Sequence, residues 1–261
     1  MPEAIEPIAI ISDVHANLEA LTAVIDDIRG QGVRTIYNLG DTAGYGPDPA
    51  SCIDLVDAAC TVNLCGNHDY AVLFDADGFN PIAKKSVDYH RKLLQPTPDH
   101  DDEVETERRW QWLTNLEPMH ENDGFEAMHG SPRQPITEYV LPSDPEMDPL
   151  KITDIFSAMS QPIAFVGHTH FPGVLEENNE SFLMLSTLSG RYQIHDNCRA
   201  IINVGSVGQP RDRNPKSCYV IYDGQFVTYR RVEYDVEKTI QKILAQPEIH
   251  PASGLRLRDG R

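Results

Sequence analysis

The sequence predicts an α/β fold that begins with a largely parallel β-sheet and continues into a second, more antiparallel sheet. Short apolar runs alternate with amphipathic helical patterns over the first quarter of the chain. Further apolar runs follow between 125 and 232, after a segment at 75–124 with few such runs. Strands that alternate with helices indicate right-handed crossovers between parallel strands. The 261 residues fit one domain, with 75–124 as a helical insertion or cap.

The first unit is a strand, a loop and a helix. Residues 8–11 form a continuous apolar run, which is typical of a strand buried on both faces. From Leu21 to Ile28 the apolar residues recur at the spacing of one helical face. Asn17 is a suitable N-cap, and Gly30 ends the pattern. A helix is therefore predicted between them.

The next unit repeats this arrangement. Strands are predicted at 35–39 and 61–65, on either side of a helix at 49–59. Asp48 is the expected cap of that helix, with Pro49 at its first position. Because the carboxyl ends of parallel strands meet at one edge of a sheet, polar residues that follow these strands are expected to converge there.

The second half of the chain is read as the second sheet. Its predicted strands are 125–128, 163–166, 182–185, 201–204, 218–222 and 226–232. A last helix is predicted near 235–245. The residues after it, which contain Pro, Gly and Arg, are expected to form a loose tail.

Charge and cysteine content restrict the partners and the compartment. With 40 acidic and 22 basic side chains, the formal charge of −18 repels polyanions, so stable binding to nucleic acid or to an anionic membrane is not expected. The 5 cysteines are odd in number and lack paired CxxC spacing, which disfavours a disulfide framework. Neither a signal peptide nor an apolar stretch of roughly 20 residues is apparent. The cytoplasm is the expected location.

Short motifs of Asp, Asn and His follow five predicted strands in order. They are Asp13 and His15 in DVH, Asp41 in GD, Asn67, His68 and Asp69 in GNHD, His129 in HG, and His168 and His170 in GHTH. Taken alone, DVH and GD are more easily read as turns, whereas GNHD and GHTH each favour a functional site slightly over a polar loop. The ordered set at successive strand ends indicates a common site instead.

This order of motifs resembles the calcineurin-like metallophosphoesterase superfamily over residues 8–210. The resemblance implies a four-layer αββα sandwich of two mixed sheets flanked by helices. It also implies an enzyme that hydrolyses phosphate esters with two divalent metal ions. By the resemblance, the first metal is held by Asp13, His15, Asp41 and His170, and the second by Asp41, Asn67, His129 and His168. Oxygen and imidazole donors without thiolate favour Mn, with Fe, Zn, Ni or Co as alternatives, over Ca or Mg.

The resemblance also implies the roles of the remaining residues. A hydroxide that bridges the metals would attack the phosphorus in line. His68, which is not a ligand in this scheme, would be the general acid that protonates the leaving alkoxide. Asp69 is the candidate residue for orienting His68.

The residues that follow the GD motif at Asp41 distinguish between branches of this superfamily. Phosphoprotein phosphatases extend it to GDxVDRG, whereas this chain has Gly44 and Tyr45 at the two diagnostic positions. A serine/threonine phosphatase is therefore disfavoured. The form GDxxGYGPxP resembles a bacterial and archaeal branch of small phosphodiesterase-like proteins. This resemblance implies broad activity on phosphodiesters and some monoesters, and therefore a small phosphorylated substrate.

Two further residues are candidates for contact with that substrate. Arg211 follows a glycine-rich segment at 203–210 and is preferred to Arg213 as a phosphate-binding residue, since the planar guanidinium group matches two phosphate oxygens at once. Tyr45 would stack on a base or cap the pocket, unless it only packs on a neighbouring loop.

Three functions remain open at this point. The first is a phosphodiesterase that acts on small or nucleotide-derived substrates. The second is a phosphomonoesterase or nucleoside-polyphosphate hydrolase, because the same metal pair can cleave monoesters and anhydrides. The third is a metal-binding scaffold for protein interaction without turnover.

Overall fold

The structure is a computed structural model that describes residues 6–97, 102–177, 179, 181–195 and 197–261. In chain order its strands are β1 Ile8–Ile11, β2 Thr35–Asn38, β3 Val62–Asn63, β4 Met119–Asn122, β5 Phe125–Met128, β6 Ile163–Val166, β7 Gly173–Glu176, β8 Leu183–Met184, β9 Arg191–Gln193, β10 Ala200–Asn203, β11 Ser217–Tyr222 and β12 Phe226–Val232. The helices are α1 Leu18–Gly30, α2 Pro49–Ala59, α3 Asn67–Leu73, α4 Pro81–Leu94, α5 Glu103–Thr114, α6 Asp144–Met147, α7 Pro149–Ala158, α8 Val236–Ala245 and α9 Ala252–Leu255, with a final 3₁₀-helix at Arg256–Asp259.

The strands form two mixed sheets of six strands each. The first has the order β3-β2-β1-β11-β12-β9, in which β1, β2 and β3 are parallel. The second has the order β4-β5-β6-β10-β7-β8, in which β5, β6 and β10 are parallel. The predicted sandwich of two mixed sheets is confirmed.

The assignment of all later strands to the second sheet was wrong. β11 and β12 complete the first sheet, because β11 pairs antiparallel with β1 and places Tyr222 opposite Ile8. The apolar pattern also did not predict β4, β7 or β9, which are only three or four residues long and, in β4 and β9, partly polar. Strands of this kind are fixed by their partners rather than by their own periodicity.

Apolar side chains fill the space between the sheets and cover both outer faces. Ile10 on β1 meets Phe165 and Ile202 of the other sheet in the central layer. On the outer face of the first sheet, α1 and α2 pack on β1, β2 and β11. On the outer face of the second sheet, α7 packs on β5, β6 and β10. Burial of each large aliphatic side chain contributes roughly 1.5–3 kcal/mol, so this layering fixes the positions of the strand ends.

The two predicted N-caps differ in what they do. Asn17 caps α1 as expected, because its side-chain oxygen accepts a hydrogen bond from Ala20 N. Asp48 precedes α2 as expected, but its side chain makes no capping hydrogen bond. Its carboxylate instead pairs with Lys242 on α8 at 2.7 Å. The charge of Asp48 therefore ties the start of α2 to the C-terminal part of the chain.

Residues 75–124 contain α4, α5 and β4, and residues 98–101 of this segment lie outside the described part of the chain. α4 and α5 share an apolar cluster with α2 and α3, in which Val72, Val87 and Leu113 are buried. β4 joins the edge of the second sheet beside β5. The segment therefore spans from the helices beside α3 to the rim of the second sheet.

The expectation of a loose C-terminal tail was wrong. After α8 the chain forms α9 and the 3₁₀-helix, and Leu257 is buried against Ile240, Ile243 and Ile249. Four-residue helices are too short to produce a readable apolar period, so the sequence pattern missed them. Among the described residues, no helix has the length and apolarity that crossing a bilayer requires.

Candidate active site

The loops after β1, β2, β3, β5 and β6 meet at one end of the sandwich. The first two run side by side, since Asp13 N donates to Gly40 O at 3.0 Å and His15 N donates to Asp41 O at 2.9 Å. α3 begins directly at Asn67, so the GNHD motif lies at a helix start rather than wholly in a loop. Every predicted metal ligand lies in this region.

One group of side chains surrounds Asp13. His170 Nε2 lies 3.0 Å from Asp13 Oδ1, and His15 Nε2 lies 3.7 Å from the same oxygen. The two imidazole nitrogens are 3.2 Å apart. All three residues are buried. They are the predicted ligands of the first metal, without Asp41.

A second group surrounds His129. Its Nε2 lies 3.2 Å from Asn67 Oδ1, 3.1 Å from His168 Nδ1 and 3.3 Å from Asp41 Oδ2. Asp41 Oδ2 also lies 3.7 Å from His15 Nε2, which belongs to the first group. The carboxylate of Asp41 thus stands between the two groups, as expected of a bridging ligand.

Hydrogen bonds from backbone N–H groups determine which carboxylate oxygens of Asp13 and Asp41 face the site. Asp13 Oδ2 accepts from His168 N at 3.0 Å, which leaves Oδ1 facing the histidines. Asp41 Oδ1 accepts from His68 N at 2.8 Å, which leaves Oδ2 facing His129 and His15. Each carboxylate therefore presents one oxygen to the site and is held by the other.

Backbone carbonyls set the tautomers of three histidines. The outer ring nitrogens donate to Ala43 O from His15 at 3.0 Å, to Gln209 O from His170 at 2.5 Å and to Thr137 O from His168 at 3.2 Å. A carbonyl oxygen can only accept, so the other nitrogen of each neutral ring carries a lone pair directed at the site. This second layer of contacts is typical of metal-bound imidazoles.

The donor set fits divalent metal ions. The lone pairs of His15 Nε2 and His170 Nε2 face each other at 3.2 Å beside Asp13 Oδ1, an arrangement that is repulsive unless a cation lies between them. Asp13 Oδ1 is buried without a hydrogen bond of acceptable geometry among the described residues. Three such clusters of Asp and His are close enough to hold an ion: Asp13 with His15 and His170, Asp41 with His129 and His168, and His15 with Asp41 and His68.

The backbone at these residues is strained. Asp13, Asp41 and His15 have φ angles of 56°, 53° and 49°, and His168 and His170 have 65° and 63°. Left-handed conformations at residues with a Cβ cost roughly 1–2 kcal/mol each and persist where the surroundings enforce them. Five such residues in one site indicate that ligand geometry takes precedence over local backbone preference.

The charges of the site depend on one another. Burial favours a neutral Asp41, but the neighbouring histidines outweigh it and hold the pKa of the carboxyl well below its usual range. Burial would lower the pKa of His129, but Asp41 outweighs it and raises that pKa to about 9. The Asp41 carboxylate is thus ionised at neutral pH and available to a cation.

His68 lies beside the two groups, and its surroundings differ from those expected. Its Nδ1 is buried without a hydrogen-bond partner among the described residues. The prediction that Asp69 orients this ring was wrong. The Asp69 carboxylate accepts from the backbone N–H groups of Thr42 and Gly66 at 3.2 Å and of Ala43 at 2.9 Å. Asp69 therefore joins the β2 loop to the start of α3.

Gly44 lies directly against the ring of His68. Its φ is +93°, and a Cβ added there would lie 2.2 Å from His68 Nδ1. The position that holds an Asp in phosphoprotein phosphatases is thus in contact with the ring itself. Only glycine fits this backbone beside His68.

Sequence reasoning missed His90, which positions the Gly44 loop. On α4, His90 Nδ1 accepts from Gly44 N at 2.9 Å, and its Nε2 donates to Gly46 O at 2.8 Å. Ser86, one turn earlier, accepts from Tyr45 N at 2.9 Å. The only sequence signal was a His in an amphipathic helix, which is usually a core residue. Its partners are backbone groups that no pattern reveals.

Tyr45 and Arg211, the two candidates for contact with the substrate, lie next to the site. The Tyr45 ring is buried, with its centroid 4.8 Å from that of His15 and 4.7 Å from that of His68. Arg211 Nη2 lies 3.5 Å from the Tyr45 hydroxyl. Arg256, which the sequence analysis did not select, places its guanidinium 4.5 Å from the centre of the Tyr45 ring.

Known proteins share this sequence pattern and fold. Residues 7–225 match the calcineurin-like phosphoesterase superfamily domain. An uncharacterized protein of Methanocaldococcus jannaschii is 35% identical over 244 residues, which cover 91% of each chain. The crystal structure of a metallophosphoesterase from Sphaerobacter thermophilus superposes with a TM-score of 0.81 at 33% identity, and the match covers 99% of this chain and 100% of the other. A hypothetical protein from Pyrococcus horikoshii shares the fold with a TM-score of 0.70 at 17% identity, over 98% of both chains. This chain is a phosphoester hydrolase that belongs to the calcineurin-like phosphoesterase superfamily.

Proposed function

We propose that this enzyme is a phosphodiesterase that depends on two divalent metal ions, acts on small or nucleotide-derived substrates and uses His68 as its general acid. The observation that carries the proposal is the place of His68, between the ligand groups and an open pocket. The pocket has a volume of about 410 Å³ and is lined by His68, Tyr45, Phe79 and Tyr139, among others. A leaving group seated there would lie directly beside the imidazole.

The pocket suits an organic leaving group. The Phe79 ring lies 4.9 Å from the His68 ring, and Tyr139 stacks on His168 at 3.7 Å, so aromatic surface borders both sides of the site. Aromatic faces bind bases and other planar groups by stacking. We therefore favour a diester in which one phosphate substituent is a nucleoside or another planar group.

The residues of the site would have different roles in binding the metal ions and the substrate. Asp41 would hold both ions, Asp13, His15 and His170 the first, and Asn67, His129 and His168 the second. Bound ions would neutralise charge on the phosphoryl oxygens and activate a water molecule, and Mn suits the oxygen and imidazole donors. Arg211 would bind a phosphate oxygen through its guanidinium. Tyr45 would hold Arg211 and form one wall of the pocket.

Proton donation by His68 requires the substrate. Burial, and to a lesser extent Arg211 and neighbouring histidines, lower the pKa of His68 to about 4, although Asp41 opposes them. The ring is thus neutral in the free protein at pH 7. An anionic phosphodiester beside it would raise this pKa and favour the protonated ring. We expect the general acid to form only in the substrate complex.

The test is hydrolysis of bis-p-nitrophenyl phosphate with Mn by the wild type and by His68→Ala. Loss of a general acid should reduce kcat by about 10²–10⁴-fold. Metal content, measured by inductively coupled plasma mass spectrometry, should remain that of the wild type. The exposed His195→Ala, outside all three clusters, is the matched control and should retain full activity.

Three results would overturn the proposal. Equal rates in the wild type and His68→Ala would remove His68 from the chemistry. A higher kcat/KM for p-nitrophenyl phosphate than for the diester would favour a phosphomonoesterase. A metal-loaded protein with no turnover on any phosphoester would instead support the scaffold function.

We also propose that the chain forms one domain, in which residues 75–124 shape the pocket through Phe79. The buried Cys52, Cys65 and Cys218 are thiols, in keeping with a reducing compartment such as the cytoplasm.

A further inference from the structure

A second cavity, separate from the pocket beside His68, lies on the other side of Tyr45. It has a volume of about 700 Å³ and is lined by Phe171, Met184, Arg211, Asp212, Arg213, Arg256 and Arg261. We call it the arginine groove. It adjoins the site, because Phe171 follows the predicted ligand His170 directly.

Two of these arginines form a close pair. Arg211 Nη2 lies 3.3 Å from Gln209 Oε1, and Arg256 Nη2 lies 2.5 Å from the same oxygen. Both guanidinium groups also approach the Tyr45 ring, at 5.9 Å and 4.5 Å from its centre. One amide oxygen and one aromatic face thus hold two positive charges side by side.

The pair has no acidic counterpart in the described residues. Neither Arg211 nor Arg256 has a carboxylate within 4.0 Å there, and Arg256 Nε is buried without a hydrogen-bond partner. Asp212, the one acid in the groove lining, pairs with Arg231. In a chain with a net charge of −18, two half-buried arginines side by side without a carboxylate partner are a costly arrangement unless an anion binds them.

The tail that carries Arg256 is held firmly in place. Leu257 fills an apolar cluster on α8, and Arg258 pairs with Glu237 at 2.6 Å. Arg213 N donates to Gly260 O at 2.8 Å. Gly260 has a φ of +60°, and a Cβ there would lie 2.6 Å from the backbone of Asn214. The fold therefore fixes a tail residue against the edge of the site.

We propose that the arginine groove binds a second phosphate group of the substrate, apart from the phosphate that is cleaved. The inference deepens the proposed function, and it rests on that function for the identity of the cleaved bond. One guanidinium group can donate two parallel hydrogen bonds to two oxygens of a phosphate. Arg256 Nε is buried without a hydrogen-bond partner among the described residues, so it is available as one of these donors. The substrate would then be a phosphodiester that carries a further phosphate group. This group would be either bonded directly to the cleaved phosphate or separated from it by a sugar.

A matched pair of substrates tests the separated arrangement. Thymidine 5′-(p-nitrophenyl phosphate) and its 3′-phosphorylated form differ by one phosphate, and both release p-nitrophenol. The wild type should have a lower KM for the 3′-phosphorylated substrate than for the substrate without this phosphate. Arg256→Gln should reduce this preference, measured as the ratio of the two kcat/KM values, by roughly ten- to a hundred-fold. Arg256→Lys keeps the charge without the paired donors and should lose part of the preference.

The adjacent arrangement has a test that does not require turnover. Inorganic pyrophosphate and inorganic phosphate are titrated by calorimetry into EDTA-treated wild type and Arg256→Gln. Pyrophosphate should bind the wild type and should bind the variant at least about ten-fold more weakly. Arg29→Gln, at an exposed arginine of α1 outside the groove lining, is the control and should behave as the wild type in both tests.

The outcomes separate the two proposals. An effect of Arg256→Gln in either test supports the groove and identifies which arrangement it binds. If the substrate ratio and pyrophosphate binding both match the wild type, the groove proposal is wrong. An equal loss on both thymidine substrates, with unchanged pyrophosphate binding, would assign Arg256 to the cleaved phosphate and would also overturn it. If the wild type cleaves neither substrate, the proposed function fails, and the calorimetry still decides the groove.

Discussion

Gly44→Ala is the substitution that most directly tests the placement of His68. The added Cβ would lie 2.2 Å from His68 Nδ1, whereas ordinary contacts begin near 3.4 Å. The ring must therefore move by roughly 1 Å, and displacements of this size cost about 10²-fold in rate. The left-handed φ of +93° adds roughly 1–2 kcal/mol of strain to the folded state. We expect kcat on bis-p-nitrophenyl phosphate to fall by about two orders of magnitude.

A matched glycine separates strain from displacement. Gly124 has a φ of +89°, and a Cβ there would meet nothing within 4 Å. Gly124→Ala should therefore lose similar stability in urea unfolding but keep the wild-type kcat. Metal content should be measured in both variants, since a Cβ at Gly44 would also come 3.1 Å from His15 Nδ1. A Gly44→Ala enzyme with full metal content and wild-type kcat would refute the reasoning.

Three other substitutions test separate parts of the account. Asp41→Asn should lower metal content, and EDTA should reduce Tm in the wild type but hardly in this variant, because bound metal stabilises the fold; an equal EDTA effect in both would contradict this. Burial lowers the pKa of His90 to about 4 from 6.5, so the unfolded chain binds a proton that the folded chain excludes, and stability falls as pH drops from 6.5 to 4. The unfolding free energy of His90→Asn should lack this part of the decline, about 2 kcal/mol between pH 6.5 and 4.5, in urea titrations at those two pH values; parallel pH profiles would exclude the linkage. Leu257→Ala should reduce the unfolding free energy by about 2–4 kcal/mol and weaken pyrophosphate binding, because Leu257 fixes the tail; a stable variant would mean that the tail is not anchored there.

The sequence alone predicted those elements of the fold in which apolar residues form a continuous run or recur at a regular spacing. β1, α1 and β2 follow directly from the apolar run at 8–11, the helical face of Leu21 to Ile28 and the run at 35–38. The candidate metal ligands could be found from the sequence for a related reason, because parallel strands bring their carboxyl ends together. The resemblance then supplied the order of the ligands, and the structure places all of them in contact.

Other features depend on tertiary contacts that leave no local pattern. β11 joins the first sheet only because it pairs with β1, more than 200 residues earlier in the sequence. Asp69 looked like a partner for its neighbour His68, but three backbone N–H groups bind its carboxylate. His90 and Arg256 act through backbone groups and an aromatic ring contributed by distant loops. Such roles become visible only when the chain is folded.

The most direct test of the account is a crystal structure of the Mn-loaded protein with anomalous data collected at the manganese edge. We expect two anomalous peaks on either side of Asp41 Oδ2, one in contact with Asp13, His15 and His170 and the other with Asn67, His129 and His168. A single peak, or a pair in which His68 replaces one of these ligands, would contradict the account.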